Sequence, residues 1–162
     1  MDTNDDISFK IAGKEDSLTI LNFIKGIAEY EKLSNEVKAT KEDIEYALFT
    51  RNIGKAILLL KDNKPIGFAL YFYNFSTFTG KCGIHLEDFF IYEKYRHNGY
   101  GKRLFKEVIK IAKKEGCPRL EWTCLKWNTP SMKFYDTMLG KKMDEWVTYR
   151  LTIDNYDEAL KK

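Results

Sequence analysis

The stretch that most constrains this chain is YRHNGYGKRL, residues 95–104, which places two glycines and three basic side chains between an apolar segment and an amphipathic one. Glycine lets backbone N–H groups approach an anion without a Cβ in the way. A helix that follows adds its free N–H groups and the positive end of its dipole. The R-x-x-G-x-G pattern therefore predicts a strand, loop and helix that hold phosphate, although a plain tight turn would also explain the glycines. It matches neither the Walker loop nor the G-x-G-x-x-G dinucleotide pattern.

Length, charge and composition narrow the class of protein. A chain of 162 residues with 44% hydrophobic and 31% charged residues is the size and composition of one globular domain, so we expect a single domain over residues 1–162. The net charge of +3 is too small to indicate nucleic-acid binding. No apolar run approaches the ~18 residues of a membrane span. The acidic N-terminus MDTNDDISFK is unlike a signal peptide.

The cysteines indicate a reducing compartment. Cys82, Cys117 and Cys124 are odd in number and lack the spacing of metal ligands. We therefore expect reduced thiols in a cytoplasmic protein and no bound metal.

The hydrophobic pattern predicts a mixed α/β fold with an antiparallel meander first and strand–helix–strand–helix–strand after it. Strands are expected at Ile7 to Ile11 and in KAILLLKD, PIGFALYFYNFS, CGIHLEDFFIY, RLEWTCL and EWVTYRLTI. Helices are expected from about Glu15 to Leu33, from Thr40 through Phe49, from the glycine loop to Gly116, and over NTPSMKFYDTML up to Gly140. The last strand, EWVTYRLTI, is expected to close the sheet.

Several polar residues near the glycine loop are candidates for chemistry. Glu87 and Asp88 lie in the apolar strand that leads into the loop, where buried carboxylates are costly without partners. Neighbouring strand residues face opposite ways unless a bulge re-aims them, so at least one is expected to face a site. An exposed edge or a structural ion pair is the alternative. Tyr135 alone would be a core tyrosine and Asn128 a helix cap, and the first-helix pair Tyr30-Glu31 would be a solvated face.

The combination of these motifs resembles a known family. R-x-x-G-x-G after an apolar strand, followed one strand later by W-N-x-P-S-x-x-F-Y, resembles the acetyl-CoA-dependent N-acetyltransferases of the GNAT superfamily. IAEYEKLSNEVKAT, IGFALYFYNFSTFTGK, LEDFFIYEKYRHNGYGKRL and LKWNTPSMKFYDTMLG are similar to the spermidine/spermine and thialysine acetyltransferases. The likeness extends from about Ile7 to about Ile153. It implies a GNAT-like, mixed and mostly antiparallel central sheet flanked by helices.

The resemblance also implies a role for each candidate. Acetyl-CoA would be the co-substrate, and its pantetheine arm would bind along the backbone of Phe89, Phe90 and Ile91 as an added strand. Tyr135 would be the general acid, and Glu87 would aid deprotonation of the amine. The amine would bind near Tyr30, Glu31, Glu87 and Asp88. The cofactor would also be held by Arg96, His97, Asn98, Gly99, Tyr100, Gly101 and Lys102, and by Asn128, Thr129, Pro130 and Ser131.

These residue types suit the reaction. A primary amine with a pKa near ~10 is almost all ammonium at neutral pH and must lose a proton before it attacks a thioester. A tyrosine proton helps the thiolate leave, and none of the three cysteines falls where an acyl-enzyme would need it, so attack would be direct. The alternatives are a protein or peptide amine acetyltransferase and a non-catalytic acyl-CoA sensor, although a sensor would need neither Glu87 nor Tyr135.

The substrate prediction rests on a departure from the polyamine branch. This chain has Ser76 and Phe78 where polyamine-specific members carry an acidic residue and a tryptophan. With fewer carboxylates to attract a long polycation, we expect a lysine-like amino acid or a short diamine to be preferred to spermine. An amino acid would also need a basic partner for its carboxylate, which the sequence does not identify. The resemblance further implies a homodimer, without indicating the surface that pairs.

Overall fold

The computed structural model describes residues 7–162, which form two compact units. The larger unit extends to Thr123 and contains the whole sheet, and the smaller unit is Cys124–Lys162. The prediction that the chain is one acetyltransferase domain stays a prediction. None of the described helices is both long and apolar enough to cross a membrane.

The larger unit is built on a five-stranded sheet with the order β1-β2-β3-β4-β5. Its first four strands are antiparallel neighbours, and β5 joins β4 in parallel. The strands are β1 (Ile7–Ile11), β2 (Lys55–Lys61), β3 (Lys64–Ser76), β4 (Lys81–Ile91) and β5 (Leu120–Trp122). The expected meander and the mixed, mostly antiparallel sheet are both confirmed.

One face of the sheet is covered by α1 (Ser17–Tyr30). Leu58, Phe68 and Phe90 are aligned across β2, β3 and β4 and point to this face. Phe23 of α1 is fully buried and stacks on Phe68, with ring centroids 5.0 Å apart. Truncating a buried aromatic side chain to alanine costs about 3–5 kcal/mol of stability. This row of rings therefore fixes α1 against the sheet.

The opposite face is covered by α3 (Tyr100–Lys114). Phe89 is the neighbour of Phe90 in β4, so its side chain points to the other side of the sheet. There its ring meets the buried ring of Phe105 edge to face, with centroids 5.7 Å apart, and Phe105 in turn meets Trp122 of β5. The helix ends as predicted, since Gly116 takes the left-handed conformation (φ 68°) just after it. The sheet is therefore flanked by helices on both faces.

The short helix α2 (Lys41–Glu45) begins at the cap that the sequence predicts. Thr40 Oγ1 accepts a hydrogen bond from the Asp43 backbone N–H, and the Asp43 carboxylate accepts one from the Thr40 backbone N–H. A π-helical turn over Tyr46–Thr50 continues it, so the regular helix is shorter than predicted.

The smaller unit corrects two predictions. Its first helix, α4, covers Thr129–Thr137 and ends before Gly140, because Leu139 adopts the left-handed conformation (φ 65°) and turns the chain earlier. The second correction is larger: the segment EWVTYRLTI, Glu145 to Ile153, is not a strand among the described residues and closes no sheet. It is followed by a single helical turn, α5 (Tyr156–Ala159).

Candidate active site

The central feature of the site is β4, whose two neighbouring strands pair with it over different lengths. β3 pairs with it as far as Ile91, whereas β5 pairs with it only from Ile84 to Leu86. Beyond Leu86 the ladder stops because β5 itself ends at Trp122, and the later half of β4 leads into the glycine loop. A stretch of strand with no β5 partner can accept a strand-shaped ligand beside it.

A β-bulge lies where the β5 ladder on β4 ends. The β3–β4 register shifts between Leu70 and Tyr71, so that Leu70 is opposite Asp88 and Tyr71 is opposite Leu86. Glu87 is the extra residue, and its exposed carboxylate lies 3.6 Å from His85 Nε2. Glu87 and Asp88 differ in their surroundings, as the sequence analysis expected of neighbouring strand residues. The bulge that it allowed as an exception is present at Glu87.

Asp88 is the more buried carboxylate of the pair. Burial raises its pKa to about 6, with further contributions from the negative charges of Glu87 and Glu31. Glu31, the C-cap residue of α1, also has its pKa raised by burial. The two carboxyl groups therefore form a partly desolvated acidic site. A bound cation would offset the cost of ionising them there.

Asp88 and Glu31 line a cavity of about 470 Å³ in the larger unit. A volume of this order suits a small molecule. Glu87 is not part of its lining. The remaining lining comes from α1 and from the chain between α1 and α2: Ile24, Ile27, Ala28, Leu33, Glu36, Val37, Lys38 and Ala39. Sequence reasoning gave this second segment no role, because residues 33–39 lack a periodic pattern and were noted only as part of the stretch IAEYEKLSNEVKAT that resembles the family.

Tyr30 and Arg96 connect α1 to the start of the glycine loop. The Arg96 guanidinium carbon lies 4.8 Å from the centre of the Tyr30 ring and 5.4 Å from that of Phe90. Its Nε donates a hydrogen bond to the Ile91 carbonyl oxygen at 2.9 Å. Arg96 thus holds the end of β4 and the C-terminal part of α1 together. Its other guanidinium N–H groups extend from this fixed position as further donors.

The glycine loop has the backbone conformation that an anion-binding turn needs. His97 and Gly99 both have positive φ, 63° and 77°, and the Asn98 side chain donates to the carbonyl oxygens of Tyr95 and Arg96. Gly99 is the N-cap of α3, so the first N–H groups of a 15-residue helix face the loop. Tyr100 is buried and its hydroxyl accepts a hydrogen bond from Lys61, so only its backbone is available to a ligand.

In the smaller unit, α4 carries the second group of candidates. Asn128 is buried and caps the helix by accepting a hydrogen bond from the Ser131 backbone N–H at 3.3 Å, and Pro130 occupies the first turn. Burial raises the pKa of Tyr135, and Cys124 adds to the effect. The phenol therefore keeps its proton at neutral pH, which a proton donor must do.

Comparison with known proteins gives this arrangement its family. The model of the acetyltransferase (GNAT) family matches residues 24–140. The chain belongs to the GNAT family. It is an acetyl-CoA-dependent N-acetyltransferase, which confirms the resemblance seen in the sequence and the enzyme class expected from it.

The names of two relatives of this GNAT protein give small amines as their substrates. A thialysine N-epsilon-acetyltransferase of Sus scrofa is 32% identical over 151 residues, which cover 86% of this chain and 88% of the relative. An L-ornithine N5-acetyltransferase of Arabidopsis thaliana is 41% identical over 95 residues, 59% of this chain and 42% of the relative. Among solved structures, an integron cassette protein of Vibrio cholerae has a TM-score of 0.80 at 24% identity and covers 96% of this chain and 98% of that one, which supports the fold.

The carboxyl of Asp88 provides a direct test of the site's electrostatics. Its folded pKa of about 6 lies above the ordinary aspartate pKa of 3.8, so the folded protein keeps this proton to a higher pH than the unfolded chain does. The contribution of Asp88 to stability is therefore greatest below about pH 4 and is lost as pH rises toward and through 6. We expect the unfolding free energy of the native protein, relative to that of Asp88→Asn, to decrease from pH 4 to pH 7. Urea unfolding measures both free energies.

The matched control is Asp43→Asn, because the helix-cap hydrogen bonds of Asp43 lower the pKa of its carboxyl. It should show no loss of stabilisation with rising pH in this window. If the Asp88 and Asp43 variants gave the same pH dependence, Asp88 would not be a buried, proton-retaining carboxyl.

Proposed function

We propose that this enzyme transfers the acetyl group of acetyl-CoA to the side-chain amine of a small basic amino acid such as thialysine, with short diamines as weaker substrates. The observation that carries the proposal is the cavity lined by Asp88 and Glu31, next to the point where the β5 ladder on β4 ends. Thialysine and ornithine, named in the relatives, each combine a side-chain ammonium with an α-amino acid. The volume of the cavity, about 470 Å³, is of the order that suits such a small molecule.

The cofactor is proposed to follow β4 into the glycine loop. The pantetheine arm adds to the backbone of Phe89, Phe90 and Ile91, the part of β4 that lies beyond the end of the β5 ladder. The pyrophosphate rests on the backbone from His97 to Lys102, where α3 begins. The exposed side chains of Lys102 and Arg103 add positive charge there.

Gly101 allows the cofactor seat to be tested with little disturbance of the fold. A Cβ on Gly101 would have the Phe89 ring as its nearest neighbour, at 3.9 Å, and Gly101 lies in the first turn of α3 where alanine is a better helix former. We expect Gly101→Val to bind acetyl-CoA at least ~10-fold more weakly, because its side chain would occupy the pyrophosphate position. Isothermal titration calorimetry measures this.

Thermal unfolding of Gly101→Val and of a smaller variant, Gly101→Ala, serves as the control for folding. Gly99 is a poor choice, because its positive φ would strain any substitution. Unchanged affinity in a folded Gly101→Val protein would mean that the loop is a structural turn.

The amine is proposed to be held and deprotonated by different carboxylates. Asp88 and Glu31, inside the cavity, attract the side-chain ammonium. Glu87, exposed at the bulge, receives the proton through water, which its exposure permits. The neutral nitrogen then attacks the thioester carbonyl directly, and the carbon–sulfur bond breaks as the new amide forms.

Tyr135 is proposed to protonate the departing thiolate of CoA. A thiol with a pKa of roughly 8 to 9, by analogy with cysteine, leaves more readily if a proton is supplied as the bond breaks. A tyrosine phenol carries its proton at neutral pH, and the proton that the amine nitrogen loses as the amide forms restores Tyr135 for the next turnover. Asn128, Thr129, Pro130 and Ser131 shape the start of α4 and contact the cofactor near its thioester.

Removing one hydroxyl tests this role. We expect Tyr135→Phe to lower kcat by ~100-fold or more, in line with general-acid contributions, while acetyl-CoA affinity changes little. Steady-state kinetics with a thiol-detecting dye gives kcat, and calorimetry gives the affinity.

The control for that substitution is Tyr46→Phe, which removes the hydroxyl of an exposed tyrosine on the π-helical turn. It should leave both quantities unchanged. A Tyr135→Phe enzyme within a few-fold of the native kcat would assign protonation to another group or to water.

The expected cytoplasmic location and homodimer belong to the same proposal. All three cysteines are free thiols, and Cys82 Sγ lies 2.7 Å from Cys117 Sγ, a pair that remains reduced in a reducing compartment. Support for a dimer comes from Glu145 to Ile153, the segment that does not form the predicted strand.

This C-terminal segment has the alternating pattern of a strand but is not part of the described sheet. Val147, Tyr149, Leu151 and Ile153 alternate with polar residues, and all four are at least half exposed. Apolar rows of this size rarely remain in water. Since β5 is an edge strand of the described sheet, the segment of one copy is proposed to pair with the β5 edge of a second copy, and the reverse.

The apolar row therefore controls the oligomeric state. We expect the native protein to have twice the chain mass by size-exclusion chromatography with light scattering, and Tyr149→Asp with Leu151→Asp to have the mass of one chain. Thr148→Asp with Thr152→Asp, on the polar side of the same segment, is the control and should remain dimeric. A native monomer, or a dimer that survives both apolar substitutions, would contradict the pairing.

A further inference from the structure

The substrate cavity has an acidic end and a basic residue apart from it. Asp88 and Glu31 form the acidic end, since the negative charge of Glu31 contributes to the raised pKa of Asp88. Among the described residues that line the cavity, Lys38 is the only basic one. Lys38 comes from the segment between α1 and α2, whereas Glu31 ends α1 and Asp88 lies in β4.

Lys38 is held in a position from which it can bind an anion. Its Nζ donates a hydrogen bond to the backbone carbonyl oxygen of Asn35 at 2.8 Å, which fixes the side chain on the segment between α1 and α2. An ammonium has three donors, so this bond leaves two for a ligand. In the described part of the chain, none of the ion pairs involves Lys38.

Apart from Glu36, a further carboxylate in the segment that carries Lys38, the rest of the lining is apolar. Ile24 and Ile27 come from α1, and Leu33, Val37 and Ala39 come from the segment that carries Lys38. A lysine-like amino acid has the same order of groups: an ammonium, an aliphatic or thioether chain, and a carboxylate. A diamine or polyamine has an ammonium at both ends and would bring its second cation toward Lys38.

We propose that Lys38 binds the α-carboxylate of the amino-acid substrate and thereby selects amino acids over diamines and polyamines. The inference rests on the proposed function, because it assumes that this cavity holds the amine that is acetylated. It identifies the basic partner that an amino-acid substrate needs. Lys38 takes no part in bond making, so its effect belongs to substrate binding.

Substrate pairs that differ only in the carboxylate test this role. L-lysine without its carboxylate is 1,5-diaminopentane, and L-ornithine without its carboxylate is 1,4-diaminobutane. We expect Lys38→Met to lower kcat/KM for both amino acids by about 10-fold or more, chiefly through KM, and to leave the diamines within about 2-fold. One lost charge-assisted contact of ~1.5–3 kcal/mol corresponds to this range.

Reversing the charge gives the sharper result. Lys38→Glu repels a carboxylate and attracts a second ammonium, so kcat/KM should fall further for L-lysine and rise for 1,5-diaminopentane. The control is Lys25→Met, which removes an exposed lysine of α1 that does not line the cavity and should change neither substrate.

The outcomes separate this inference from the proposed function. Native enzyme that acetylates neither member of a pair would refute the proposed function. Native enzyme that acetylates both, with a ratio that Lys38→Met and Lys38→Glu leave unchanged, would overturn the role of Lys38 alone. An equal loss of both substrates in the Lys38 variants would also overturn it, since a residue that only supports the cavity wall cannot distinguish a carboxylate.

Discussion

The candidate site depends on the unequal pairing of β4. Pairing with β3 resumes after the bulge at Glu87 and holds the strand as far as Ile91, while the ladder to β5 ends at Leu86. Phe90 and Phe89 then anchor the same stretch of backbone from opposite faces, through α1 and α3 respectively. A ligand that binds along this stretch meets a backbone that is already ordered, so little further conformational entropy is lost on binding.

The electrostatics of the amine site follow from this packing. The Phe23, Phe68 and Phe90 rings hold α1 so close to β4 that Glu31, at the end of the helix, and Asp88, in the strand, share one cavity. Two carboxyl groups in partly apolar surroundings both resist ionisation. A bound ammonium reverses that penalty, so charge recognition and proton handling come from one arrangement of aromatic packing.

Most of the fold could be predicted because its hydrophobic patterns are strong. The apolar runs of β2, β3 and β4 and the amphipathic pattern of α3 left little choice of element, and Thr40 with Asp43 marked a real helix cap. The sequence failed at Glu145 to Ile153, because alternation shows that a segment can be a strand but does not name its neighbour.

The site was predicted unevenly for similar reasons. Glu31, Asp88 and the glycine loop could be named from family motifs, and the structure brings Glu31 and Asp88 to one cavity. The different surroundings of Glu87 and Asp88 could be expected from strand alternation. The bulge could not be located, since it depends on a register shift that involves Leu70 and Tyr71 of another strand. Lys38 gave no signal either, because it lies in an irregular segment and its relation to the cavity comes only from tertiary packing.

The bulge at Glu87 also affects where the chain length can vary. Replacing Glu87 by another residue alters one exposed side chain. Deleting it would remove the bulge but leave Leu86 opposite Tyr71 and Asp88 opposite Leu70, so Phe90 would stay on the side of α1. An insertion between Asp88 and Phe90 would instead move Phe90 to the other face of a regular ladder. Within this family fold, position 87 should therefore tolerate changes of identity and of length better than the regular part of β4 that follows it.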